Sequence, residues 1–175
     1  IFKKILNIPI IERVIKRLKK SKKISNIIIV TSKHKVDDDI ETFCKKKKID
    51  IYRGSLNNVA SRFLEVSKIF NLKNMIRVSC DSPFIDSKLI DKGINLFKKS
   101  NYDMVTNVFP RTFPKGLSYE IFKTSILQKN FKTYSKKDKE HVTTFFYKNS
   151  TKFKIYNHSA INDYKKLNLC VDTHN

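Results

Sequence analysis

Apolar positions Ile10, Ile11, Val14, Ile15 and Leu18 recur at helical spacing, with Pro9 placed to open a helix. The run Ile27-Ile28-Ile29-Val30 is apolar at every position and reads as a strand buried on both faces. The pattern then repeats, predicting a helix over about 36–47, a short strand over 49–52, and a helix carrying Val59, Phe63, Val66 and Phe70. A strand over 75–79, a helix over about 87–99 and a strand over 102–106 follow. Strands alternating with helices of crossover length predict an α/β domain, a mostly parallel sheet with helices on both faces. After Asn107 the rhythm changes. Pro110 and Pro114 bracket an irregular stretch, and beyond it the pattern predicts a strand over 117–122, helices over about 124–134 and 139–149, and strands near 153–157 and 168–171. No internal repeat, low-complexity tract or linker interrupts the chain. Its 175 residues, 40% of them hydrophobic, suffice for one sizeable core and not for two, so a single domain over 1–175 is expected.

The formal net charge of +21 raises nucleic-acid binding as a function, because clustered Lys and Arg neutralise phosphates. Against it, the charge is diffuse and strongly biased to lysine, alongside abundant Ile and Asn and only 3 glycines, as an AT-rich genome imposes on any protein. Runs such as Lys45 to Lys48 fall at predicted helix ends, where they complement the helix dipole, and no base-stacking aromatics interleave with them. No apolar run approaches the roughly 20 residues of a membrane-spanning helix, and the start lacks a signal-peptide core, so a cytoplasmic protein is expected. Cys44, Cys80 and Cys170 form no C-x-x-C pair and read as reduced small residues.

Ligands of open parallel sheets bind beyond the carboxyl ends of the strands. Reading off those ends gives Thr31-Ser32, Arg53-Gly54-Ser55, Asp81-Ser82 and Asn107, with Asp172 after the last strand. An arginine, a glycine turn, a hydroxyl and two isolated carboxylates on one rim are what a nucleotide with its phosphates and magnesium needs. On residues alone, two readings of Asp81 stand level: metal ligand, or turn carboxylate. Arg53 is likewise either a phosphate ligand or a solvated loop arginine. Asp86 precedes an apolar-periodic segment and reads as a helix N-cap.

Arg53-Gly54-Ser55, Val59 and Arg62, Asp81-x-Pro83-x-Ile85-Asp86, Asn107, Pro110-Arg111-Thr112-Phe113-Pro114-x-Gly116-Leu117 with Glu120, Glu140-His141-Val142-Thr143 and Val171-Asp172-Thr173 occur in that order. The ordered set resembles the spore coat polysaccharide biosynthesis protein F group of the acylneuraminate and deoxy-octulosonate cytidylyltransferases. The resemblance implies a Rossmann-like nucleotidyltransferase fold that joins the CMP part of CTP to a sugar or sugar acid, releases pyrophosphate, and serves surface polysaccharide biosynthesis. It implies Mg²⁺ held by Asp81 with Asp172 as partner, nucleotide contacts from Arg53, Gly54, Ser55 and Asn107, and an acceptor-side role for Arg111 over a sugar carboxylate or phosphate. His141 is read as a contact to the acceptor or to a partner subunit, or, as a lone helical histidine, as a structural residue, and related enzymes are commonly dimers.

Leu56, Asn57, Asn58 and Ser61 replace acidic residues usual in the group, Cys80 replaces a glycine, and His174 replaces a proline. The resemblance places an opening strand and an Arg- and Lys-bearing triphosphate loop just upstream of Phe2, and the chain stops inside its last motif. A domain truncated at both ends is therefore expected. The rival enzyme class is a nucleotide-sugar glycosyltransferase, whose Asp-x-Asp motif Asp37-Asp38-Asp39 matches in letters. These acids lie past their strand at a predicted helix start, where they satisfy the dipole without metal.

Overall fold

A computed structural model of the chain describes residues 1–171. In order, the elements are β1 (Lys4–Ile5), β2 (Ile8–Pro9), α1 (Ile10–Leu18), β3 (Ile28–Ser32), α2 (Asp38–Lys47), β4 (Asp50–Gly54), α3 (Val59–Ile69) and β5 (Asn74–Arg77). They continue with α4 (Ser87–Lys99), β6 (Met104–Thr106), β7 (Glu120–Lys123), α5 (Thr124–Asn130), α6 (Lys136–His141), α7 (Thr144–Lys148) and β8 (Ile155–Asn157). The chain forms two compact units. One comprises Ile1–Ser25, Ile76–Phe122 and the segment from Phe153 on, and the other comprises Asn26–Met75 and Lys123–Lys152. No helix among the described residues is long and apolar enough to cross a membrane.

In the first unit, all five periodic apolar residues of α1 are buried, with Glu12 in its first turn and Arg17 in its last. Ahead of it, β1 and β2 form a hairpin whose two turn residues, Leu6 and Asn7, have φ of 47° and 63°. Two successive positive-φ residues give the turn whose twist suits paired strands. Helix α4 opens as expected, with the Asp86 carboxylate accepting from the Lys88 N–H at 2.8 Å. Its Gly93 lies against the ring of Tyr119, so closely that a Cβ there would sit 2.5 Å from ring atoms.

One sheet has the order β5-β7-β6-β8, with β8 parallel and β7 antiparallel to β6. The sheets are small and mixed, where the sequence predicts a mostly parallel one. The reason lies in residues 107–119, which return the chain as an irregular loop. Parallel neighbours need a crossover, usually a helix, and none separates β6 from β7. The strand expected over 168–171 is reduced to a bridge between Lys115 and Asn168.

In the second unit, β3 and β4 pair in parallel, Ser32 opposite Gly54. Helix α2 carries Asp38, Asp39 and Glu41 in its first turn and Lys45, Lys46 and Lys47 in its last, and stops at Lys48 in the left-handed region. The helix expected over 139–149 is broken in two. Ser135 and Asp138 form a reciprocal capping box at the start of α6. Val142 then turns to φ 59° and ψ −63°, and the Thr143 N–H donates to the His141 carbonyl at 2.6 Å. That γ-turn is costly for a β-branched residue, and full burial of Val142 and Phe146 offsets it.

Buried Asp138 is held by Lys148 at 2.8 Å and by the Ser135 hydroxyl at 2.6 Å. Burial alone would raise its pKa, but the bonds from Lys148 and Ser135 outweigh it and the net shift is downward. A depressed folded pKa contributes stability that is complete above the unfolded value near 3.9 and is lost as pH falls through the folded value. The melting-temperature advantage of the wild type over Asp138→Asn should therefore hold from pH 7 to 5 and shrink steadily below about pH 4. A constant difference down to pH 2.5 would contradict it.

Candidate active site

The end of β4 in the second unit places Arg53, Gly54 and Ser55 together. Arg53 donates to the Ser32 carbonyl at 2.9 Å, the His34 carbonyl at 3.0 Å, and the carboxylates of Glu41 and Asp38, each at 2.6 Å. The Glu41 and Asp38 carboxylates push the guanidinium pKa up, so its charge is answered within the unit. The expected phosphate ligand is thus occupied as a staple between β4 and the start of α2. Gly54 is required for packing, since a Cβ would lie 2.8 Å from the Arg62 side chain and 2.9 Å from the Tyr52 ring. Ser55 is exposed and its hydroxyl accepts from the Asn58 N–H, while the Asn58 side chain caps α3 through the Ser61 N–H at 3.0 Å. Beneath Gly54, the Nε of Arg62 is buried with no hydrogen-bond partner among the described residues.

Two of the three acids, Asp37 and Asp38, are engaged as well. Asp37 accepts from the Thr31 hydroxyl at 2.8 Å and from the Ser32 N–H at 3.0 Å. Burial would raise its pKa, and the Ser32 and Thr31 bonds overcome that and lower it. Asp38 pairs with Arg53, and Asp39 opens α2 beside it. These acids organise a helix start, as their position in the sequence implies.

Asp81, Asn107 and Arg111 belong to the first unit, where a chain of hydrogen bonds ties their loops together. Half-buried Asp81 receives the Ser82 hydroxyl at Oδ1, 2.8 Å away, and its carbonyl accepts from the Val171 N–H at 2.9 Å. Just upstream of Val171, Leu169 donates to the Lys115 carbonyl at 2.9 Å and Lys115 to that of Leu167 at 3.0 Å. Gly116, at φ +91°, lets the two segments touch, since a Cβ would stand 2.7 Å from the Leu169 carbonyl carbon. Arg111 donates to the Ser118 hydroxyl at 2.8 Å. Thr112 receives the Ala160 and Tyr164 N–H groups, and Asn157 donates to the Pro110 carbonyl.

Asn107 is fully buried, and both ends of its amide are engaged: Nδ2 donates to the Leu117 carbonyl at 2.8 Å and Oδ1 accepts the Tyr119 N–H at 2.9 Å. Expected as a nucleotide contact, Asn107 clamps the return loop through these two bonds. Asp172, the expected partner of Asp81, lies outside the described residues. Among the described residues no group of three or more His, Cys, Asp or Glu is placed to hold a metal ion; Asp81 offers a single half-buried carboxylate, of the hard-oxygen kind that magnesium takes one or two of beside water and substrate phosphates. His141 is exposed at the end of α6 in the second unit.

Two residues were not read from the sequence. Because β6 and β8 are parallel with Thr106 opposite Asn157, Asn107 and His158 leave the sheet side by side, and the His158 N–H donates to the Thr106 carbonyl at 2.7 Å. The Nδ1 of His158 lies 2.6 Å from the Tyr119 hydroxyl, and Phe113 meets the imidazole edge-on at 5.5 Å. Burial first and the charge of Lys92 second lower the His158 pKa. Burial, then Tyr156, raises that of Tyr119. The strand-end rule that found Asn107 finds His158 when applied to the strand over 153–157.

The sequence profile of the cytidylyltransferase family matches residues 2–174. The chain belongs to that family. This cytidylyltransferase-family chain is 32% identical to a cytidylyltransferase of known structure from Leptospira borgpetersenii serovar Hardjo-bovis, covering 95% of this chain and 71% of that one with a TM-score of 0.89. It is 35% identical over 148 residues to an uncharacterized protein of Methanocaldococcus jannaschii, and 29% identical over 140 residues to the spore coat polysaccharide biosynthesis protein SpsF of Bacillus subtilis. The matches cover 84% and 78% of this chain, and span 60% and 52% of those two curated relatives. The structure of a CMP:2-keto-3-deoxy-manno-octonic acid synthetase complexed with CTP shares the fold at a TM-score of 0.63 and 13% identity, covering 91% of this chain and 83% of that one.

Proposed function

We propose that the protein transfers CMP from CTP to a sugar or sugar acid, with release of pyrophosphate, in the synthesis of a surface polysaccharide. The family match over 2–174 carries this reading, and the name of the Bacillus subtilis relative supports the polysaccharide setting. An oxygen of the acceptor attacks the α-phosphorus of CTP, the bond from that phosphorus to the bridging oxygen of the β-phosphate breaks, and the electron pair leaves on pyrophosphate. The proton of the acceptor hydroxyl passes to solvent.

On this reading Asp81, with Asp172 beyond the described residues, holds the metal that when bound screens the triphosphate charge. Gly54 and Ser55 meet the nucleotide with backbone and hydroxyl. Arg53 shapes that turn from behind, through its bonds to α2. Arg111 has one nitrogen on Ser118 and directs its remaining donors to an acidic group of the acceptor.

The full chain as the cell makes it should release pyrophosphate from CTP with Mg²⁺ and one member of a sugar panel that includes 2-keto-3-deoxy-manno-octonic acid. A base site built of hydrogen-bonding groups should favour CTP over UTP by about 100-fold or more in kcat/KM. Preference for UTP would move the assignment to a uridylyltransferase or glycosyltransferase. Binding of a DNA duplex tighter than CTP at moderate salt would overturn it in favour of nucleic acid.

A further inference from the structure

We propose that His158 is a specificity-determining contact to the acceptor sugar, donating a hydrogen bond from Nε2 to a sugar oxygen, with Tyr119 fixing the imidazole in that tautomer. The proposal rests on the transferase reading above. The fold brings His158 to the rim where α/β sheets bind ligands, one residue past the end of β8 and beside Asn107. Arg111 and Phe113 lie in the return loop of the same unit, and Phe113 packs edge-on against the imidazole.

The tautomer follows from Tyr119. Its ring is fully buried against Gly93 of α4, with no room for a Cβ between them, so the phenol cannot swing away. A buried phenol keeps its proton and donates it. Among the described residues, the acceptor within reach is Nδ1 of His158 at 2.6 Å. A neutral imidazole that accepts at Nδ1 carries its hydrogen on Nε2. Burial and the positive charge of Lys92 both favour that neutral form. The half-buried ring therefore offers one uncharged, oriented donor, held by a hydrogen-bonded partner behind it as the outer partners of metal-bound histidines hold theirs.

Chemistry names the partner class. An uncharged N–H suits a hydroxyl or ring oxygen of a sugar, whereas neutralising an acid falls to the guanidinium of Arg111. An imidazole already protonated at Nε2 is no general base, so His158 should govern how well the acceptor binds rather than how the proton leaves.

Four measurements on the full chain test this. Nitrogen-15 spectra of the histidine rings, without ligand at pH 7.5, should show His158 as the Nε2–H tautomer; a charged ring or a proton on Nδ1 would overturn the proposal. His158→Leu should raise KM for the acceptor by roughly 5- to 10-fold while KM for CTP changes less than 2-fold. His158→Gln, which keeps an N–H donor at similar reach, should recover most of the loss. Tyr119→Phe should raise acceptor KM by about 3-fold with the leucine variant's selectivity, because the tautomer is no longer fixed. An unchanged acceptor KM in His158→Leu, or equal losses for acceptor and CTP, would sink the proposal while leaving the transferase standing. A wild type that releases pyrophosphate from no nucleotide with any acceptor of the panel would refute the transferase and this proposal with it.

Discussion

Replacing Asp81 by asparagine in the full chain should cut magnesium-dependent pyrophosphate release from CTP by about 100- to 1,000-fold, the range seen when one preorganised electrostatic group is lost from an active site. The melting temperature should move little. Asparagine preserves what Asp81 does for the fold: its carbonyl still accepts from the Val171 N–H, and an amide oxygen can still accept from the buried Ser82 hydroxyl. What it removes is the negative charge and the second oxygen, and those are what a hard divalent cation requires. The two readings of this residue therefore part cleanly. A turn carboxylate would be silent to a change that keeps both of its hydrogen bonds. Titrating Mg²⁺ against initial rate for wild type, Asp81→Asn and Asp81→Glu gives the decision. The glutamate variant keeps the charge and shifts it by one methylene, so it should fall between the other two. Wild-type magnesium dependence in Asp81→Asn would move the metal to other carboxylates.

Much of the scaffold can be read from residues because the local signals agree with the tertiary ones. Helix α4 runs over Ser87–Lys99, from an aspartate that caps it to a pair of lysines that complement its dipole. The apolar spacing of α1 marks the residues that the structure buries. Elsewhere the determinant is remote in sequence. Asn7 suits a left-handed turn position but Leu6 before it carries no such signature, yet both adopt positive φ. Val142 inverts inside what reads as one helix, because burying Val142 and Phe146 offsets the strain of the turn. The direction of β7 depends on the loop from Asn107 to Tyr119 returning without a helix, for which Pro110 and Pro114 were the available cue.

The site divides along the same line. A strand-end rule locates polar residues on the binding rim and is blind to whether the protein has already engaged them. Arg53 bonds two carboxylates and two carbonyls, and Asn107 bonds the backbone at both ends of its amide. In both cases the partner is set by folding: Asp38 and Glu41 reach Arg53 from α2 and His34 from the segment ahead of it, and residues 117–119 reach Asn107 through the return loop. Ser55 and Asp81 keep the exposure that a ligand contact needs, the first fully and the second in part.

Asn107→Ala should destabilise the protein by roughly 2–4 kcal/mol, because it strands the Tyr119 N–H in the interior and strips the Leu117 carbonyl of its donor, each loss worth about 1–3 kcal/mol. For a chain of 175 residues that is a fall in melting temperature of about 5–15 °C. The damage should also be directional. Tyr119 is held in place by its backbone bond to Asn107, by the close fit of its ring on Gly93, and by His158 at its hydroxyl. Loosening the first of these lets the other two shift, so acceptor KM should rise while CTP affinity changes little. Asn107→Asp keeps the oxygen that receives the Tyr119 N–H but exchanges the donor for a buried charge facing the Leu117 carbonyl, so it should be at least as unstable as the alanine variant near neutral pH. Lowering the pH toward 4 should protonate that carboxyl and recover part of the difference, since a protonated acid can again donate to Leu117. Scanning calorimetry without ligand, paired with CTP titration, separates a clamp from a ligand contact. If Asn107→Ala melted with the wild type and lost CTP binding, its amide would belong to the nucleotide and the clamp seen in the structure would be incidental.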